Sequence, residues 1–144
     1  MTEKKNLWGT LPNGELDQPT PKSILKDQAK FLTEMTNGSL VGEVGKITHA
    51  YQGSLQLVSQ QPSPVIVDSL KIKVPALDDY IYGVAQIEYK LPTTYPVTLT
   101  NLADPDEEAK QYLTLEEFEA GLEAVLTSEQ VRNIIRILLE QAEA

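Results

Sequence analysis

Between Leu40 and about Asn101 apolar residues recur at every second position, and the gaps between the alternating runs are too short to hold a helix. Val65-Ile66-Val67 leads into Leu70, Ile72 and Val74, which alternate with Ser69, Lys71 and Lys73. From Ile81 to Leu91 the alternation puts Ile81, Ala85, Ile87, Tyr89 and Leu91 on one side. Tyr82, Val84, Gln86, Glu88 and Lys90 fall on the other. Successive side chains of a strand point to opposite faces, so such runs read as half-buried strands. Weaker strands are expected at 40–50, 54–60 and 95–100. A parallel crossover takes a dozen or more residues, whereas the connectors here are Gln52-Gly53, Gln61-Pro62-Ser63-Pro64, Pro75 to Asp79 and Pro92-Thr93-Thr94. Consecutive strands are therefore expected to form an antiparallel meander.

Helical spacing flanks this region on both sides. Thr20 is placed to cap free backbone N–H groups, and Pro21 fits the first helical position, where a missing N–H costs nothing. Ile24, Leu25, Ala29, Leu32 and Met35 follow at helical intervals, and Asn37-Gly38 supplies a left-handed stop, giving a helix over 21–36. After Asn101 three cap patterns come in succession: Asp104 with Glu107, Thr114 with Glu117, and Thr127 with Gln130. Helix is expected over 115–142. Its first part turns Leu115, Phe118, Leu122, Val125 and Leu126 inward and leaves Glu116, Glu117, Glu119 and Glu123 to water. Its last part carries Val131, Ile134, Ile135, Ile137, Leu138 and Leu139, a stripe wide enough to predict burial on more than one side. The expected core is Leu25, Leu32, Ile72, Ile87, Phe118, Leu122, Ile135 and Leu138.

Together these elements predict the α+β class: a four- to five-stranded, mainly antiparallel sheet covered by an N-terminal helix and a C-terminal helical unit. Residues 21–144 read as a single α+β domain, preceded by a turn-rich arm over 1–20. A chain of 144 residues buries roughly 68–70% of its unfolded surface, so it needs no disulfide or metal staple. It has no cysteine, which excludes a disulfide scaffold, a thiolate metal site and a cysteine nucleophile. No apolar run approaches a membrane span, and the start Met1 to Gly9 lacks the apolar core of a signal peptide, so a cytoplasmic location is expected.

The net charge of −9 is uneven. Residues 1–30 hold five Lys and four acids, residues 31–100 four and six, and residues 101–144 three basic residues and eleven acids. Phosphate neutralisation needs clustered Lys and Arg, whereas the two arginines, Arg132 and Arg136, lie in the most acidic third. Nucleic acid is not an expected ligand.

Catalytic templates mostly fail. The one histidine, His49, has no partner identifiable from sequence, and one His without Cys cannot make a zinc site. Asp104-Pro105-Asp106-Glu107-Glu108 looks like a calcium loop but has Ala109 and Leu115 where Gly and Glu are required. The sharpest enzymatic pattern is Glu88-Tyr89-Lys90. Glu88 and Lys90 project from one strand face. With Asp68 from the preceding strand, or Asp78 or Asp79 from the connector, they give a D…E-x-K set able to hold Mg²⁺ as in restriction-type nucleases. No phosphate-binding loop, serine elbow or metalloprotease motif occurs. A different candidate is a surface. Leu7-Trp8 and Leu11 form an apolar cluster in a polar arm, and Trp8 is expected to be largely buried, strapped on its own domain or anchored in a partner or sister subunit. Arg132 and Arg136 share one helix face, where they pair with neighbours or serve as a fork for a partner's acidic groups.

The favoured expectation is a non-enzymatic protein–protein interaction module, such as an acidic adaptor, an immunity-type inhibitor or a complex subunit. It uses Trp8, Leu11, Arg132 and Arg136 toward a protein partner or in a homo-oligomer, with no cofactor, metal or membrane. The alternatives are a Mg²⁺-dependent nuclease-like enzyme using Asp68, Glu88 and Lys90, and a small-molecule or lipid binder in a sheet–helix cleft.

Overall fold

The computed structural model describes residues 4–10, 19–49 and 64–143, with only the backbone for 47–49. The expected strand at 54–60 and Leu11 lie outside them. Among the described residues, helix α1 (Pro21–Met35) is followed by strands β1 (Val41–His49), β2 (Val65–Val74), β3 (Tyr80–Lys90), β4 (Val97–Asn101) and β5 (Lys110–Tyr112), then by α2 (Leu115–Leu126) and α3 (Glu129–Ala142). The sheet order is β1-β2-β3-β4-β5 and every neighbouring pair is antiparallel, giving an α+β meander. The short connectors account for this between β2, β3 and β4, whereas fifteen residues separate β1 from β2.

Local chemistry explains the ends. The Ser23 amide donates to Thr20 Oγ1 at 3.1 Å and the Thr20 amide to Ser23 Oγ at 2.8 Å, a reciprocal cap that starts α1. Asn37 and Gly38 both take positive φ and end it. Thr114 starts α2 by accepting from the Glu117 amide at 3.2 Å. Two cap readings need correction. Thr127 closes α2, and Ser128 is the residue that starts α3. Asp104 begins no helix. Its Oδ1 accepts from the Asp106 amide, forming a local turn, and the chain after it enters β5, which period-two reading missed because it is three residues long.

The helices share one face of the sheet. Ile66, Leu70, Ile72 and Val74 of β2, Ile87 and Tyr89 of β3, and Val97 and Leu99 of β4 join Leu25, Phe118, Leu122, Val131 and Leu138 in one core. Gly42 lets α1 lie directly on β1. A Cβ built there would fall 2.5 Å from Ala29 Cα, and the Thr33 hydroxyl accepts from the Gly42 amide across the same contact. The opposite face carries Glu43, Lys71, Lys73, Gln86, Glu88 and Thr98, with Lys73 and Glu43 paired at 3.2 Å.

The face assignment of β3 changes partway along. Leu70 stands opposite Ala85 and Lys71 opposite Gly83, so Val84 is an extra residue in a β-bulge. Beyond the bulge the phase reverses: Ile81 is 50% exposed, Tyr82 packs against the core, and Val84 is buried. The strict alternation read from Ile81 to Leu91 holds only on the C-terminal side of that bulge.

Candidate functional site

The nuclease-type set is not assembled. Asp68 pairs with Ile87 in register and is fully buried on the helix-covered face, where Tyr89 donates to its Oδ2 at 3.2 Å. Glu88 and Lys90 pair with Val67 and Val65, so they project from the other face, with the sheet between them and Asp68. Asp78 and Asp79 lie at the opposite end of β3, in the left-handed turn before Tyr80. Among the described residues no three His, Asp or Glu side chains are arranged to hold a metal. Asp68 belongs instead to a buried polar pair. Burial, and next the Asp68 carboxylate, push the Tyr89 hydroxyl up to about 12.

The arm also departs from expectation. Trp8 is 82% exposed and Leu7 85%, so neither straps the domain. Asn6 Oδ1 accepts from the Trp8 amide at 3.0 Å and Gly9 takes φ +68°, which folds the segment into a turn that presents the two side chains outward. The expected burial of Trp8 is therefore not found among the described residues.

A trough lies between α1 and the α2–α3 elbow, in the sheet–helix space that the sequence reading named without assigning residues to it. Leu70, Ile72 and Val84 of the sheet floor a cavity of about 330 Å³, walled by Phe31, Leu32 and Met35 of α1 and by Val131 and Ile135 of α3. A second depression of about 330 Å³ between α1 and α2 shares Gln28, Leu126 and Thr127 with it, and adds Ile24, Leu122, Glu119 and Glu123. The two adjoin at these residues: the one toward α3 is apolar, and the one toward α2 carries the acids. Leu32 and Ile135, expected in the core, are half-buried because they line this gap. Phe31 and Met35 are 50% and 76% exposed on its α1 side. The wide α3 stripe is likewise not buried on two sides. Val131 and Leu138 are buried, Ile134, Ile135 and Leu139 are half-buried, and Ile137 is exposed.

A signal for the trough existed in the sequence. Ile24, Gln28, Phe31 and Met35 recur at intervals of four, three and four, a second helical stripe beside the Leu25-Ala29-Leu32 face that meets the sheet. Arg132 lines the trough and also a polar depression of about 470 Å³ on α3 with Arg136, Asn133 and Glu129. Arg136 is satisfied locally, donating to Glu140 Oε1 at 3.0 Å and to Asn133 Oδ1. Arg132 makes no ion pair among the described residues. No helix there is long and apolar enough to cross a membrane. Comparison with known protein families, characterised proteins and solved structures yields no match.

Proposed function

We propose that this chain is a protein–protein interaction module and that the trough between α1 and α3 is its docking surface. One observation carries the reading: two helices present apolar side chains toward a shared gap over the sheet, and no described segment fills it. Contiguous exposed apolar surface of this kind marks binding sites, because covering it releases roughly 25 cal/mol for each Å² removed from water. A groove between helices suits bulky side chains projected from another polypeptide. The cavity is at the low end of the range for small-molecule pockets, about 300–1,000 Å³, which matches one or two large side chains.

The test is selection of random displayed peptides on the variant Trp8→Ala, so that the chain's own exposed indole does not compete. Selected peptides should carry clustered bulky apolar residues and lose binding to Phe31→Glu, a half-exposed position whose change leaves the core intact. Failure to select any such peptide, or binding indifferent to Phe31→Glu, removes the reading. A second reading, an acyl-chain binder, draws on the same apolar cavity with Arg132 beside it as partner for an acidic head group. Native mass spectrometry showing a retained lipid that Phe31→Glu expels would favour it instead.

A further inference from the structure

Two uncovered apolar features lie on this one chain, and their chemistry is complementary. The arm segment 4–10 is basic, then apolar: Lys4 and Lys5 precede the outward-facing Leu7 and Trp8, and the segment holds no acid. The trough is acidic, then apolar: Glu119 and Glu123 line its α2 end, and Phe31, Leu32, Val131 and Ile135 line the other. The spacing agrees. Lys5 to Trp8 spans at most about 10 Å of backbone, less through the turn, and the long lysine side chain extends that reach. Along α1, from Ile24 beside the acids to Leu32 in the apolar part, eight residues at 1.5 Å each make about 12 Å.

We infer that the trough receives the Leu7–Trp8 turn of a second copy of this chain, with Lys4 and Lys5 facing Glu119 and Glu123 of the receiving copy. This deepens the docking reading given above and rests on it. The second copy, rather than the chain's own arm, is the occupant because among the described residues the chain's own turn lies exposed and nothing covers the trough. Reciprocal exchange closes under twofold symmetry, so each copy gives one arm and accepts one, and no open filament results. The area is sufficient. Burying an indole and a leucine removes about 350 Å² per arm. Two arms remove about 700 Å² before any trough surface is counted, and the trough surface they cover brings the total to about the 1,000 Å² that a specific interface needs.

The chain's single tryptophan makes the test direct. Full-length protein should sediment as a dimer, and Trp8 emission should shift to the blue as concentration rises through the dimerisation range. Added salt should weaken the dimer through the Lys–Glu pairs. Trp8→Ala and Phe31→Glu should each be monomeric alone, with unchanged circular dichroism and thermal midpoint in the monomer. Mixed together they should associate, since one supplies an intact trough and the other an intact arm. A wild-type chain that stays monomeric at millimolar concentration overturns the inference. So does a dimer indifferent to both variants, and so does a monomer whose melting temperature falls on Trp8→Ala, which would mean closure within one chain. In each of these outcomes, peptide binding to the Trp8→Ala trough still decides the docking reading separately.

Discussion

Gly42→Ala tests how α1 is seated on the sheet, and its size follows from the contact geometry. The added Cβ would lie 2.5 Å from Ala29 Cα and 2.7 Å from its carbonyl carbon, all backbone, so no side chain can swing aside. The strand itself favours alanine over glycine by roughly 0.5–1 kcal/mol, through the lower entropy of the unfolded chain. Against this, forcing extra volume into a packed contact costs about 1–3 kcal/mol, at the upper end where backbone must move. The net expectation is a loss of about 1–2 kcal/mol. For 144 residues, unfolding entropy near 2.1 cal/mol/K per residue converts 1 kcal/mol into about 3 °C, so the melting temperature should drop by about 3–6 °C. Urea unfolding with unchanged slope gives the free energy directly. Gly45→Ala is the control. Its Cβ would meet the end of Lys71, with Nζ at 2.8 Å, and that flexible tip can move, so stability should be unchanged or slightly raised. If Gly42→Ala proves as stable as wild type, or Gly45→Ala the worse of the two, the reasoning about close helix–strand approach is refuted.

Two further expectations concern the core and its buried polar pair. Phe118→Ala, at a fully buried site, should cost about 3–5 kcal/mol, whereas Ile135→Ala at the trough wall should cost only about 1–2; equal losses would mean that the trough is closed in solution. Tyr89→Phe removes the one donor that buried Asp68 has among the described residues and should cost about 1–3 kcal/mol, while the double change Asp68→Leu with Tyr89→Phe should recover much of that. The same tyrosine sets an alkaline limit. Because its hydroxyl is raised from 10 to about 12 in the fold, the folded state keeps a proton that the unfolded chain releases. That stability is complete below pH 10 and lost as pH rises through 12, with Tyr82 and Tyr95, also raised by burial, acting in the same sense. A melting temperature flat across that window, or a decline unaltered by Tyr89→Phe, contradicts this account.

Local periodicity and cap chemistry determined the α+β class and the helix at its first turn, because each depends on residues within one turn or one strand, and connector length gave the antiparallel sense of β2, β3 and β4. Thr20-Pro21, Asn37-Gly38 and the short loops are legible without knowing any partner. The trough was only half legible. The Ile24-Gln28-Phe31-Met35 stripe is written along α1, but whether a stripe is covered depends on where a distant helix comes to rest. Pattern reading therefore placed Leu32 and Ile135 in the core, when the gap between α1 and α3 leaves them at its edge. The bulge at Val84 is another case. One extra residue reversed the phase of Ile81 and Tyr82, and only pairing with β2 reveals it. The E-x-K reading failed for a related reason. Glu88 and Lys90 do share a face, but which face Asp68 takes is fixed by the register of β2 against β3, a long-range property that no window of sequence contains. For Trp8, composition alone argued for burial, yet a turn held by Asn6 and Gly9 turns the indole outward. Hydrophobicity states what a side chain favours, and only tertiary geometry decides whether this chain provides it.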